Sequence, residues 1–156
     1  NIEYLPRFGM RLFLKKEFNK CEYFGFGPTE SYIDKHEGCY MDRFTDNVSH
    51  MFENYIRPQE NSSHYNTKYC ALMREETRIE FASEKSFSFS VSEYTREELE
   101  RKTHNFELEK SEYTVLHLDY GMTGVGTGSC GPYTYDKYRF KEKDFCFHYF
   151  IMPKGF

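Results

Sequence analysis

The sequence has no tryptophan, little alanine or isoleucine, no Cys-x-x-Cys pair, and no apolar run approaching the about 20 residues needed to cross a bilayer as a helix. Each absence removes a class of protein. No membrane-spanning helix is expected, and the first residues lack the basic-then-apolar layout of a signal peptide. The cysteines Cys21, Cys39, Cys70, Cys130 and Cys146 are an odd set without metal-knuckle spacing. They argue against a disulfide framework and a zinc site alike, and favour a reducing, cytoplasmic setting in which they act as small hydrophobes. The formal charge of −4 is spread as interspersed signs, so no basic stripe is ready to neutralise phosphates or lie on anionic lipid. Neither nucleic acid nor membrane is an expected partner. No repeat, low-complexity tract or linker divides the chain, which predicts one domain over residues 1–156. The chain opens at Asn1 rather than Met and therefore reads as part of a longer protein, with targeting signals elsewhere.

What is abundant is aromatic: sixteen Phe and fourteen Tyr, a composition that leans toward strands. Period-two alternation recurs at Phe8, Met10, Leu12 and Leu14, at Phe87, Phe89 and Val91, and at Phe145, Phe147, Tyr149 and Ile151. Further strands are predicted over residues 20–26, 65–73, 78–82, 114–120 and 137–141, separated by Gly, Pro, Asn and Ser clusters. An all-β, antiparallel β-sandwich follows. One short α-helix is predicted over 96–105, with Thr95 as N-cap, Glu98 completing a capping box, and Leu99, Thr103 and Phe106 facing the sheet. A second helical turn is predicted over 29–32, after Pro28.

Several groups carry potential chemistry. The glycine-rich stretch over 121–131 could offer backbone N–H groups to a phosphate, but no helix and no Lys-Ser or Lys-Thr pair follows it. It reads instead as a shaped loop between strands. Glu30, Asp34, Glu60 and Asp119 stand beside turn residues where a glycosidase pair could be placed, although turn-forming and capping roles are the default there. His36, Glu37 and Cys39 cluster without matching a zinc spacing, so no metal site is predicted. Exposed Tyr and Phe could stack on a sugar once the core has been filled.

Taken together, several stretches resemble the small-chain region, the last domain, of family 2 β-galactosidases. They are Leu5-Pro6-Arg7-Phe8-Gly9; Tyr23-Phe24-Gly25-Phe26-Gly27-Pro28-Thr29-Glu30-Ser31-Tyr32-Ile33-Asp34, similar to the family's GxGPxExYxD segment; and Tyr55-Ile56-Arg57-Pro58-Gln59-Glu60-Asn61. Phe87-Ser88-Phe89, Tyr94-Thr95, Glu98-Leu99, Leu116-His117-Leu118-Asp119 and the Gly124-Val125-Gly126 to Gly131-Pro132 loop continue the series in order over nearly the whole chain.

The resemblance implies a β-supersandwich related to galactose-mutarotase-like domains, with this chain as its C-terminal part, ending where the parent enzyme ends. It also implies a retaining β-galactosidase whose acid/base and nucleophile glutamates lie in a (β/α)₈ barrel absent here, so that this chain alone is inactive and holds no catalytic residue. Mg²⁺ and Na⁺ are implied for that barrel, with no cofactor in this chain. The implied partners are the remaining domains, a lactose-like β-galactoside and further copies of the parent. The loop over 124–132 would reach the aglycone side of the site, with Gly128, Ser129 and Cys130 as its wall. Some family members carry a stacking Trp where this sequence has Cys130, and a thiol offers less stacking surface. Ser62-Ser63 also replaces the Gly-Asn often found there, which argues against a special turn geometry at that point. The alternatives are a non-catalytic carbohydrate-binding module and a structural assembly domain.

Overall fold

A computed structural model describes residues 2–126 and 133–156 of the chain. The strands are β1 (Arg7–Lys15), β2 (Lys20–Gly27), β3 (Tyr40–Asn47), β4 (Ser63–Arg74), β5 (Thr77–Ser92), β6 (Tyr113–Met122) and β7 (Tyr149–Lys154), with one helix, α1 (Arg96–Arg101). Among the described residues the seven strands form one sheet in the order β1-β6-β5-β4-β2-β3, with β7 pairing to β5 off that path. Every pairing is antiparallel. The all-β antiparallel architecture expected from the alternation is therefore present. Residues of the two outermost strands, Met10, Leu12 and Leu14 of β1 and Phe44 of β3, pack against the same buried cluster, so the sheet curls over a shared core in a sandwich-like arrangement.

Side-chain alternation builds that core. In β5, Ile79, Phe81, Phe87, Phe89 and Val91 lie on one face of a single 16-residue strand. The sequence reading had two shorter strands here, but the polar residues between them stay in phase with the period of two and continue the strand. Leu116 and Leu118 of β6, Cys21 and Tyr23 of β2, Cys70 and Leu72 of β4, and Phe18 and Val48 join them in the cluster. Cys21 and Cys70 behave as buried hydrophobes, whereas Cys146 is exposed and Cys39 half-buried; none of these four is bridged.

The structure departs from the sequence reading in five places, one of them at the last strand: β7 begins only at Tyr149, so the alternating Phe145 and Phe147 lie before it. β3 was not expected, because Tyr40–Asn47 is mostly polar and exposed, as suits an edge strand that needs a neighbour on one side only. Residues 137–141 do not form a strand: Asp136–Tyr138 is a 3₁₀ turn closed by Lys141 and Arg139 on the Asp136 carboxylate, and only Phe140 bridges, to Leu5. Helix α1 stops at Arg101 rather than running to 105. Thr95 Oγ accepts the Glu98 N–H at 3.2 Å as expected, but Glu107 accepts the N–H groups of Thr103 and His104 at 3.0 and 2.9 Å and draws the chain into a separate 3₁₀ turn, leaving Phe106 exposed. Residues 29–32 are extended rather than helical, because the Ser31 N–H donates to the Ser63 carbonyl at 2.7 Å and the Tyr65 N–H to Ser31 Oγ at 2.8 Å.

His64 of β4 is buried in this core, its ring 4.3 Å from that of Tyr23 and 5.1 Å from that of Phe89, with Nδ1 3.2 Å from the Phe26 carbonyl. Burial lowers its pKa to about 4, against which the Phe26 contact works only weakly. The unfolded chain, with an ordinary histidine near 6.5, thus binds one more proton than the fold between pH 6.5 and 4. Stability falls as pH falls through that window, with this site contributing a slope of up to about 1.4 kcal/mol per pH unit. Replacing His64 with Gln removes this contribution. Urea unfolding at pH 7.0 and 4.5 should show a smaller stability loss for His64→Gln than for the parent sequence; an equal loss would mean that His64 is not held neutral.

Candidate functional site

Leu116 and Leu118 face the core, so alternation turns His117 and Asp119 to the opposite face of β6. Three segments converge there: the start of β1 with Arg7, the loop leading into β4 with Glu60 to Ser62, and the turn after β2 with Glu30 to Lys35. A cluster of charged groups results. Arg7 donates from Nη1 to Asp119 at 3.0 Å and from Nη2 to Glu60 at 2.8 Å, and Arg96 Nε lies 3.8 Å from Glu60. Burial pushes the Glu60 and Asp119 carboxyls above the ordinary range, and Arg7 draws them back only in part. One guanidinium thus pairs with both carboxylates at once.

Glu30 forms the second node. Its buried carboxylate accepts Lys35 Nζ at 2.5 Å, Tyr32 OH at 3.2 Å, the Ser62 N–H at 3.0 Å and the hydroxyl of Tyr55. Burial alone would lower the Lys35 pKa, but its bonds to Glu30 and Tyr55 outweigh that and hold the ammonium above the ordinary lysine range. Asp34 supplies the third contact: Oδ1 accepts the Val125 N–H at 3.1 Å and Oδ2 the Gly126 N–H at 2.7 Å, so the turn after β2 holds the stem of the glycine-rich loop. Two open clefts flank that stem. One of about 770 Å³ is bounded by Arg7, Arg57, Arg96 and Val125, and one of about 740 Å³ by Tyr32, Tyr65, Tyr120 and Phe140.

Gly128, Ser129 and Cys130, the wall residues named from the sequence, lie outside the described residues. The four flagged carboxylates all fall in this region and all are engaged: Glu30 with Lys35 and two tyrosines, Asp34 with the loop stem, Glu60 and Asp119 with Arg7. The trio His36, Glu37 and Cys39 does not assemble. His36 Nδ1 lies 2.8 Å from the Tyr32 carbonyl, and Cys39 contacts Thr29. Among the described residues no three His, Cys, Asp or Glu side chains converge to hold a metal ion. Sequence reading missed Arg7, Lys35 and Tyr55 as partners. Arg7 inside Leu5–Gly9 and Tyr55 at the head of Tyr55–Asn61 stand in stretches already singled out, which was the available signal, whereas nothing local marks Lys35.

The described residues thus form an antiparallel β domain whose buried charges brace its loops and whose turn after β2 grips the stem of the glycine-rich loop. A family model described as "Beta galactosidase small chain" matches residues 1–151, and the chain belongs to that family. It is 44% identical over 144 residues to a "Beta-galactosidase" of Actinobacillus pleuropneumoniae, an alignment covering 92% of this chain and 14% of that protein. Similar proteins from Staphylococcus xylosus (38% over 140 residues, 90% of this chain and 14% of the relative) and Kluyveromyces lactis (34% over 148 residues, 92% and 14%) bear the same description. The chain thus spans about 14% of the length of these relatives.

Arg7→Met would leave Glu60 and Asp119 facing one another without their shared cation. It is expected to cost about 3 kcal/mol at pH 7.5, the scale for removing one partner of a largely buried pair. Without the guanidinium both carboxyls rise further above their unfolded values, so the fold takes up protons before the unfolded chain does, and the deficit should shrink as pH falls toward 5. Urea unfolding of both proteins at pH 7.5 and 5.0 tests this, and a deficit that stays constant or widens would contradict it.

Proposed function

We propose that this chain is the C-terminal, site-completing domain of a retaining β-galactosidase that hydrolyses lactose-like β-galactosides. The reading rests on one observation above all, the family match that covers residues 1–151, the glycine-rich stretch included. In this reading the acid/base and nucleophile glutamates belong to a barrel elsewhere in the parent, and hydrolysis passes through a galactosyl-enzyme formed and broken by two displacements. Mg²⁺ and Na⁺ are held by that barrel, outside this chain. The loop over 124–132 reaches the aglycone side, where Gly128, Ser129 and Cys130 form the wall against the leaving or accepting sugar.

The exposed apolar residues fit a domain built to be covered. Phe8 and Phe13 on β1 and Tyr113 on β6 are each about half exposed, and beyond β1 no further strand pairs among the described residues. Other parts of the parent, and further copies of it, are the partners this surface would take.

Turnover of a chromogenic β-galactoside by the full-length enzyme tests the reading, with Cys130→Trp and Cys130→Ala compared against the isolated chain. The isolated chain should give no turnover. Cys130→Trp should shift KM or acceptor use by about two- to tenfold, the value of an aromatic stacking contact. Hydrolysis by the isolated chain would overturn the assignment and return attention to Glu30, Asp34, Glu60 and Asp119.

A further inference from the structure

The cleft of about 740 Å³ follows from a gap in the sheet. Along one edge β5 pairs with β7 as far as Ser83 and with β6 only from Ser88, so among the described residues no strand pairs with residues 84–87 there. Along the other edge residues 83–86 stand against Lys68 alone. This stretch of β5 therefore has backbone N–H and C=O groups that the ladders leave to solvent or to a ligand. Aromatic rings wall the cleft, and the fold fixes them. The Tyr120 ring stacks on Phe145 at 4.6 Å and 14°, and its hydroxyl donates to Glu142 at 2.6 Å. Phe140 accepts the Leu5 N–H at 2.9 Å and donates its own N–H to Thr123 Oγ at 3.0 Å, and a Cβ at Gly121 would stand 2.8 Å from its ring. Tyr65 lines the same space, stacked on Phe26 at 6.1 Å. Beside it Asn66 has a φ of 54°, a left-handed conformation that Asn tolerates, at the point where the β4 pairing shifts register. Asn66, Lys68, Glu84 and Ser86 line the cleft as well, and among the described residues their side chains have no hydrogen-bond or ion-pair partner. Lys85 makes a cation–π contact 5.9 Å from the Tyr120 centroid.

We infer that this cleft is a saccharide-binding site that takes a β-galactoside. The choice of galactoside rests on the function proposed above; the lining itself asks for a pyranose. A pyranose has an apolar C–H face, which an aromatic ring covers, and a rim of hydroxyls that both donate and accept, which suits amide, carboxylate, ammonium and free backbone groups together. The charge balance points the same way. Arg139 and Lys141 at the rim are taken up by Asp136, and the remaining Lys68 and Lys85 are matched by Glu84 and Glu142, so the cleft has no excess of positive charge to attract a phosphate or another anion. A bare edge of four residues is shorter than the about five or six of an ordinary strand, which disfavours an added peptide strand. The volume lies within the range of roughly 300–1,000 Å³ that small-molecule sites occupy.

The test irradiates the full-length enzyme with a thio-β-galactoside that carries a photoreactive diazirine on its aglycone and an S-glycosidic bond resistant to hydrolysis, and maps the labelled peptides by mass spectrometry. Residues 65–68 and 84–88 should be labelled, and excess thiodigalactoside should suppress the label. Tyr120→Ala removes a stacking ring, and Asn66→Gly keeps the left-handed backbone while removing the amide; at subsaturating probe each should lower this labelling by about threefold or more. Absence of label at these residues, or label that persists through the competitor and both variants, overturns the inference. Residues 84–88 that are unlabelled and protected from hydrogen exchange would mean that another part of the parent fills the cleft, which overturns it equally. Should Tyr120→Ala fail to accumulate as folded enzyme, Asn66→Gly decides together with Lys85→Ala, a change at an exposed position. Turnover of a chromogenic β-galactoside, measured on the same preparation, keeps the two readings apart: turnover without labelling refutes the cleft alone, and labelling without turnover keeps the cleft and refutes the proposed function.

Discussion

Strand β5 constrains everything else in this fold, because it has more neighbours than one straight strand can serve. Along one edge it pairs with β4 from Ser63↔Ser90 to Arg74↔Thr77, through two register shifts. Along the other edge it takes β7 over Arg78–Ser83 and β6 over Ser88–Ser92, handing over between them. Sixteen residues accumulate right-handed twist, and the irregular pairing with β4, where residues 83–86 of β5 stand against Lys68 alone, increases it. The two outer strands are thereby carried round onto one core, and the gap between β7 and β6 opens as the cleft that Glu84 to Ser88 line.

The face of β6 turned away from the core is filled with charge, and that choice shapes the loops. Burying Glu30 and Asp119 is unfavourable unless each finds donors, so the chain brings Lys35, Tyr32, Tyr55 and the Ser62 amide to one and Arg7 to the other. Apart from Arg7 at the start of β1, these donors come from segments outside the named strands. Satisfying the carboxylates therefore immobilises the turn after β2, the loop before β4 and the start of β1 together. The loop stem at Val125 and Gly126 rests on that assembly through Asp34.

Most of the strands were legible because one buried face imposes a period of two, as in Phe87, Phe89 and Val91, and the start of α1 was legible because Thr95 caps it locally. What escaped depended on partners distant in sequence. β3 has little apolar pattern because an edge strand needs little, and the end of α1 was decided by Glu107 hooking back onto Thr103 and His104. The candidate site divides in the same way. Glu30, Asp34, Glu60 and Asp119 could be flagged one by one from their turn contexts, but the pairing of Arg7 with Asp119 spans 112 residues and that of Tyr55 with Glu30 spans 25, and no spacing rule connects them. Only the ordered resemblance to a family linked these segments before the structure did.

Ser62 shows how far such a constraint reaches. A serine where Gly-Asn is common argued against a special turn, yet its φ is 65°, in the left-handed region that costs a non-glycine residue about 1 kcal/mol or more. The turn persists because of what its amide does. In this conformation the Ser62 N–H reaches Glu30 at 3.0 Å, while the Ser62 hydroxyl bonds to Asn61, a local contact of the kind that makes the left-handed region tolerable for short polar residues. An extended Ser62 would relieve the backbone but deprive a buried carboxylate of a donor, a loss on the scale of about 1–3 kcal/mol, at least as large as the strain. The buried charge, not the residue type, therefore dictates the turn. At Gly124 the conflict is steric instead: a Cβ there would meet the Asp34 carboxylate, which would have to swing off the Val125 and Gly126 amides to make room.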